Sequence, residues 1–312
     1  MKNETSKFPA AGSYLTMALV MLLLPASSFS QSRRTLIAVL DFGSSGTGLI
    51  APDPVREMFS LDDAGSPSDE FEVIDRNLTR TAARGAGYAG SLNMSLREAR
   101  DLGAAIGCDF YFIGDAQTLR RSSSTKPIYY ETYAAIFLVS ARTGKLILWE
   151  RPSVEGDSVG KSLKQFMTIL SSEKTAGRYI AAVRRALQDE RTERAAAIEN
   201  RVPIIEALSD EEGDENKDVR APRPYRRLKP QYPETAAQAE VEATVDALVD
   251  IDSQGEISRV EIGRWAGYGL DQAVVDTVRQ LHFFPAMRDG VAIPMRVLLR
   301  YNFRKPAQNH LQ

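Results

Sequence analysis

Between Val241 and Ile251 the residues Val241, Ala243, Val245, Ala247, Val249 and Ile251 fall at every second position, with Glu242, Thr244, Asp246 and Asp250 among those between them. Successive side chains of a strand point to opposite faces, so this run predicts a strand with one buried face. Ser253-Gln254-Gly255 predicts a turn, and Ile257 to Ile262 a returning strand. Leu270, Val274, Val278 and Leu281 recur at helical spacing, and Asp271 in the first turn suits the positive end of the helix dipole. Ile293, Met295, Val297, Leu299, Tyr301 and Phe303 then share one face of a last strand, with Arg296, Arg300 and Asn302 on the other. The order strand, strand, helix, strand predicts an α+β unit over residues 225–304.

An α/β pattern with a mixed sheet is predicted over residues 35–200. Leu36 to Leu40 is a short apolar run bounded by Asp41 and glycines, as in a buried strand. Phe71 to Ile74 and Phe110 to Ile113 read as further strands. Tyr129 to Val139 and Leu146 to Glu150, joined through Thr143-Gly144, read as a hairpin. Ser95 to Ile106 predicts a helix, with Ser95 and Glu98 at capping-box spacing and Gly107 as its stop. Ser162 to Arg201 reads as largely helical.

Two segments separate from these patterns. Residues 206–224 read as a linker, because seven acidic residues and one lysine between Glu206 and Asp218 leave almost nothing apolar to offset the entropy of ordering. Residues 1–30 read as an export signal or an uncleaved anchor. Lys2 and Lys7 precede the apolar run Leu15 to Leu24, and Ser28 and Ser30 place a cleavage site before Gln31. Both readings imply the periplasm, the second with attachment to the inner membrane.

Composition narrows the function. With 39 Lys and Arg against 41 Asp and Glu, the chain lacks the concentrated positive charge of a nucleic-acid binder. One cysteine, Cys108, and two histidines, His282 and His310, leave no Cys/His set with metal spacing. No cofactor or metal is expected. Gly156 to Ser162 resembles a phosphate loop but has three residues between its glycines where such a loop needs four. Gly46 to Ala51 mimics a dinucleotide fingerprint, which Pro52 and Pro54 interrupt. Asp41, Asp75 and Asp109 stand at strand ends, where either a metal site or ordinary turns and caps place carboxylates. The chain is not expected to be an enzyme.

Residues 225–304 resemble the TonB C-terminal domain. The resemblance is carried in order by Pro230-Gln231-Tyr232-Pro233, the Val241–Ile251 run, Gly255, Ile257 and Val260, Leu270-Asp271, Phe284-Pro285-Ala286, and Gly290 before the strand ending at Phe303. It implies binding of a short peptide from an outer-membrane TonB-dependent receptor, or from another envelope protein, by strand addition. In that family an ExbB–ExbD-type complex energises the contact. The family's anchor histidine is absent from residues 1–34, and a short acidic linker replaces its long spacer, so the resemblance supports binding above energy coupling. Residues 35–155 more loosely resemble the CsgG-like periplasmic α/β domain, through Ile37 to Phe42, Val73-Ile74-Asp75-Arg76 and Gly107 to Gly114. This implies a fold and a second reading: a periplasmic structural or assembly factor that forms homo-oligomers through that domain.

The expected partner-binding residues follow from the last strand lying at a sheet edge, as in the family. They are Arg296, Leu298, Arg300 and Asn302 along that strand, and Gln231 and Tyr232 of the Pro-Gln-Tyr-Pro element.

Overall fold

The apolar run at Leu36–Leu40 forms an inner strand of a six-stranded mixed sheet. In the computed structural model, residues 33–44, 46–61, 66, 68–122, 128–199, 205–206 and 219–305 are described. The export segment 1–30 and the acidic stretch 207–218 lie outside them. The described residues from Arg34 onward form one compact unit. No helix among the described residues is long and apolar enough to cross a membrane.

The chain opens with β1 (Thr35–Val39), α1 (Thr47–Ile50), α2 (Pro52–Ser60), β2 (Phe71–Val73), α3 (Arg76–Gly85), β3 (Met94–Ser95) and α4 (Leu96–Ile106). There follow β4 (Phe110–Arg121), β5 (Tyr129–Ser140), β6 (Leu146–Glu150), β7 (Ser153–Gly156), α5 (Val159–Leu170) and α6 (Glu173–Glu199). The sheet order is β2-β1-β4-β5-β6, with β7 also on β5. Strand β1 runs parallel to both neighbours, Ile37 facing Val73 on one side and Phe110 on the other. Alternation splits β1 between two cores. Ile37 and Val39 pack with Val55, Phe59, Phe166 and Tyr179 from α2, α5 and α6. Ala38 and Leu40 pack on the opposite face with Ala83, Ala99 and Leu102 from α3 and α4.

The strand expected at Phe110–Ile113 continues to Arg121 and pairs along its whole length with β5. Gly114 permits this. A Cβ there would lie 2.5 Å from the Ala135 carbonyl and 2.9 Å from the Phe42 ring. The largely helical stretch expected over Ser162 to Arg201 consists of two helices, α5 and α6. The first ends at Leu170 with Ser171 as its C-cap, and the Ser172 hydroxyl accepts from the Thr175 amide to cap the second. The capping box at Ser95 and Glu98 is present, and Gly107 ends α4 in the left-handed conformation.

The remaining elements are β8 (Ile205–Glu206), β9 (Val219–Arg220), β10 (Arg223–Pro224), α7 (Glu234–Gln238), β11 (Ala243–Ile251), β12 (Ile257–Trp265), α8 (Leu270–Val278), β13 (Phe283–Phe284), β14 (Ala286–Arg288), β15 (Val291–Ile293) and β16 (Met295–Phe303). A five-stranded sheet runs β3-β12-β11-β16-β8. Val245, Ala247, Val249 and Ile251 bury one face of β11 beneath Leu270, Val274 and Val278 of α8. Gly255 makes the β11–β12 turn at φ 86°, where a Cβ would lie 1.9 Å from the Phe283 carbonyl.

Two differences from the sequence reading concern this half. Ile293, expected on the last strand, belongs to β15 in a separate sheet with β14 and β9. Pro294 stands at the break and supplies no backbone donor. The expected linker also contributes strands at both ends: β8 pairs with β16, β9 with β14, and β10 with β13.

Candidate functional site

Strand β16 is paired with β11 over its full length, from Met295 opposite Ile251 to Phe303 opposite Ala243. Among the described residues its other side meets only β8, parallel, at Met295 and Arg296. From Val297 to Phe303 the far side of β16 has no strand partner among the described residues. An unpaired strand side presents backbone N–H and C=O groups that can template an extended chain. The last strand is thus second from the end of its sheet, with its edge covered over two residues and open beyond them.

The outward face of this pair is organised by charge. Arg300 stands opposite Asp246 and Arg296 opposite Asp250. Each guanidinium grips its carboxylate with two hydrogen bonds, at 2.7 and 3.0 Å for Arg300 and at 2.5 and 2.8 Å for Arg296. Both aspartates are buried beneath these side chains. Hydrogen bonding to Asp246, then its charge, raises the Arg300 pKa further above its ordinary value. Between the two pairs Leu298 faces Leu248 and is itself half exposed, at 52%. One turn of the pleat further on, Thr244 donates to the Asn302 side-chain oxygen at 2.8 Å. Arg296, Leu298, Arg300 and Asn302 therefore share one face, as their spacing indicated, but both arginines are committed to aspartates. The signal for this was in the sequence: Asp246 and Asp250 repeat at the same interval as Arg296 and Arg300, which is the pattern of a cross-strand ion-pair ladder.

Tyr232 and Gln231 lie elsewhere. The Tyr232 hydroxyl donates to the Val241 carbonyl at 2.6 Å, and its ring stands 6.2 Å from that of Phe303. Burial, and then the nearby Glu242 charge, push its pKa up. This side chain ties the Pro-Gln-Tyr-Pro element to the ends of β11 and β16. Gln231 is exposed beside it.

Residues 229–304 match the family model described as the Gram-negative bacterial TonB protein C-terminal. These residues belong to the TonB C-terminal family. Among solved structures, the TonB C-terminal domain of Pseudomonas aeruginosa is similar at 22% identity, covering 29% of this chain and 89% of that one, with a TM-score of 0.24. The LpoB C-terminal domain from Salmonella enterica matches at 13% identity over 38% of this chain and 82% of that one, TM-score 0.26. A lipoprotein from Neisseria meningitidis matches at 13% identity over 50% and 99%, TM-score 0.25. The search of curated proteins gives no match.

The TonB C-terminal domain is docked on the α/β half. The last residue of β12, Trp265, enters the core formed by Ala38, Leu40, Phe137 and Val139, where it is 1% exposed. Tyr268 packs on Trp149 at 4.9 Å and on Phe137 at 6.0 Å. Gly267, at φ 71°, lies against the same rings, and a Cβ there would stand 2.6 Å from Phe137 and 2.7 Å from Trp149. Asn93 completes the joint. Its amide donates to the Thr244 and Trp265 carbonyls at 2.8 and 2.7 Å and accepts from the Thr244 amide at 3.1 Å. Beside it β3 pairs with β12, and Arg264 reaches Glu98 at 3.0 Å.

The strand-end aspartates do not converge. Asp41 accepts from Arg76 and Arg80, Asp75 caps α3, and Asp109 accepts from the Leu36 amide at 2.8 Å. Among the described residues no group of three or more His, Cys, Asp and Glu is placed to hold a metal. Gly156 packs on the backbone of Ser162, and Lys161 pairs with Asp157, so this glycine turn closes on the start of its own helix. Burial pushes the Cys108 thiol up to about 12, which keeps it protonated at neutral pH. His282 is exposed, 3.3 Å from Glu256.

Proposed function

We propose that this chain is a periplasmic cell-envelope binding protein whose TonB-type domain takes up an extended peptide by strand addition along β16, from an outer-membrane TonB-dependent receptor or another envelope protein. The observation that carries this reading is the open side of β16 from Val297 to Phe303 beside a stretch, Met295–Arg296, that already accepts an added strand. Backbone pairing supplies affinity in such a mode, and the side chains flanking the groove supply selectivity. Leu298 offers an apolar contact, and the Arg300 and Arg296 ion pairs frame it.

The test is titration of the full chain with receptor-derived peptides. Consecutive strand residues point their amides in opposite directions, so Leu298→Pro and Leu299→Pro remove donors on opposite sides of β16. The variant that circular dichroism shows to remain folded should bind peptide at least fivefold more weakly. Unchanged binding by that variant, or no binding of any such peptide by the wild type, rules out strand addition here.

A second reading, a structural or assembly factor without energy coupling, is favoured by one observation. The TonB-type domain is held on the α/β half by Trp265, Gly267 and Asn93, an arrangement suited to a fixed scaffold. Neither reading assigns the chain a catalytic step. Homo-oligomers through residues 35–200, and dependence on an ExbB–ExbD-type complex, separate the two by sedimentation and by co-purification.

A further inference from the structure

Helix α3 carries Arg76, Arg80 and Arg84 at intervals of four, which places all three on one face of the helix. Like charges at that spacing repel, so the stripe needs an anion to face. It faces the carboxyl end of β1, where Asp41 follows the strand. Asp41 Oδ1 accepts from Arg76 at 2.9 Å, and Oδ2 accepts from Arg80 at 3.1 and 2.7 Å. A fourth guanidinium arrives from the other side of the sheet. Arg56 of α2 donates to the Val39 carbonyl at 2.7 Å and lies 3.5 Å from Asp41. Asp53 takes the other Arg56 nitrogen at 2.7 Å and stands 3.5 Å from Arg76.

The charges do not balance. Arg56, Arg76, Arg80 and Arg84 meet only Asp41 and Asp53, and Arg84 has no partner among the described residues. The Arg56 Nε is buried with no hydrogen-bond partner. Burial, followed by the Arg76 charge, lowers the Arg56 pKa from its ordinary value. Between these groups a cavity of about 130 Å³ is lined by Val39, Leu40, Ala83 and Tyr88 beside the four arginines and Asp41.

Its place in the fold adds an independent argument. Strand β1 lies between β2 and β4, so the chain leaves it to one side and later returns on the other. Helices α2 and α3 consequently cover opposite faces of the sheet, and Arg56 and Arg76 from them meet at Asp41, beyond the carboxyl end of β1. Strands β2, β1 and β4 run parallel, and in open α/β sheets the crevice at such a switch point is where ligands bind.

We propose that this crevice is a binding site for a small oxyanion of the phosphate type, either free phosphate or the phosphoryl head of a larger ligand. Guanidinium forks match phosphate oxygens two at a time, and the surplus of two positive charges is what a phosphate dianion neutralises. Arg80 and Arg84 lie toward the solvent side and contact the incoming ligand. Arg56 and Arg76, anchored on Val39, Leu49 and the aspartates, fix the floor. This site is separate from β16 and does not depend on peptide binding there.

The experiment is calorimetric titration of the full chain with inorganic phosphate and, separately, with glycerol phosphate, with chloride holding ionic strength constant. Saturable binding of one or both is expected. Tighter phosphate identifies the free ion, and tighter glycerol phosphate identifies a phosphoryl head. Arg84→Gln removes no contact in the fold, and it should weaken binding at least fivefold. Arg80→Gln should do the same, with circular dichroism checking its fold. Absence of saturable heat with both ligands, or unchanged affinity in Arg84→Gln, overturns the proposal.

Discussion

The indole N–H of Trp265 donates to the carbonyl oxygen of Gly144 at 2.9 Å, across 121 residues of sequence. Trp265 belongs by sequence to the end of a TonB-type strand, and Gly144 to the tight turn of the β5–β6 hairpin. Gly144 is at φ 73°, and a Cβ there would lie 2.1 Å from the Leu96 carbonyl, so the turn is pressed against the start of α4. One bond thus ties together the TonB-type domain, the β5–β6 turn and the helix that β3 introduces.

Trp265→Ala should remove a buried aromatic side chain together with this hydrogen bond. Large-to-small replacements of this kind cost about 3–5 kcal/mol. Urea denaturation of the full chain should show that loss, and a change below about 1 kcal/mol would contradict the shared core.

The two halves should stay together after the chain between them is cut. If a site-specific protease sequence is placed between Asp210 and Glu211 and cleaved, the fragments are expected to co-elute on gel filtration. The same cut in Trp265→Ala should release them. Separation of the cleaved wild-type fragments would show the joint to be weaker than its packing indicates.

Gly267→Ala adds a methyl group at a left-handed backbone position against two aromatic rings. The strain and overpacking together should cost about 1–3 kcal/mol, because the added Cβ would stand 2.6 Å from Phe137 and 2.7 Å from Trp149. Thermal unfolding checks this. A variant as stable as the wild type would mean that the Phe137–Trp149 pocket yields readily.

Asp271 gives the fold a dependence on pH. Burial pushes its carboxyl up to about 6 from an ordinary 3.8, and hydrogen bonds from the Ala266 and Gly267 amides only partly oppose this. The folded state therefore keeps this proton at pH values where the unfolded chain has released it. The resulting stabilisation is complete below about pH 4 and is lost as pH rises through about 6, roughly 3 kcal/mol in all. Denaturation of the wild type and of Asp271→Asn at pH 4 and pH 7 isolates it. The wild type should lose ground to the variant on going to pH 7, and an opposite slope would show the two amide bonds outweighing burial.

Arg300→Ala should destabilise the sheet. It leaves Asp246 buried without its bidentate partner, and loss of a charged hydrogen-bond pair costs about 1.5–3 kcal/mol. Arg264, 3.8 Å from Asp246, compensates in part. Removing both partners in Arg300→Ala with Asp246→Ala should cost less than the sum of the two single changes, which a double-mutant cycle measures.

The sequence by itself determined the local architecture. The period-two run at Val241–Ile251, the period of Leu270, Val274 and Val278, the Ser95–Glu98 capping box and the Gly107 stop all depend on neighbours a few residues away. Backbone geometry converts such spacings directly into faces and ends. The family of residues 229–304 was legible for the same reason, since its marks stand in order along the chain. Arg296, Leu298, Arg300 and Asn302 were placed correctly on one face, because a strand's alternation needs no partner to be read.

Only the tertiary structure decided what those faces meet. The register of β11 on β16 is set by which apolar faces bury together, and it is this that brings Asp246 to Arg300 and Asp250 to Arg296. The crossover around β1 gathers Arg56 with Arg76, Arg80 and Arg84 from opposite sides of the sheet. The burial of Trp265 joins two halves that read separately in the sequence. Each depends on residues tens to hundreds of positions apart, and close packing fixes such contacts cooperatively once the whole chain has folded.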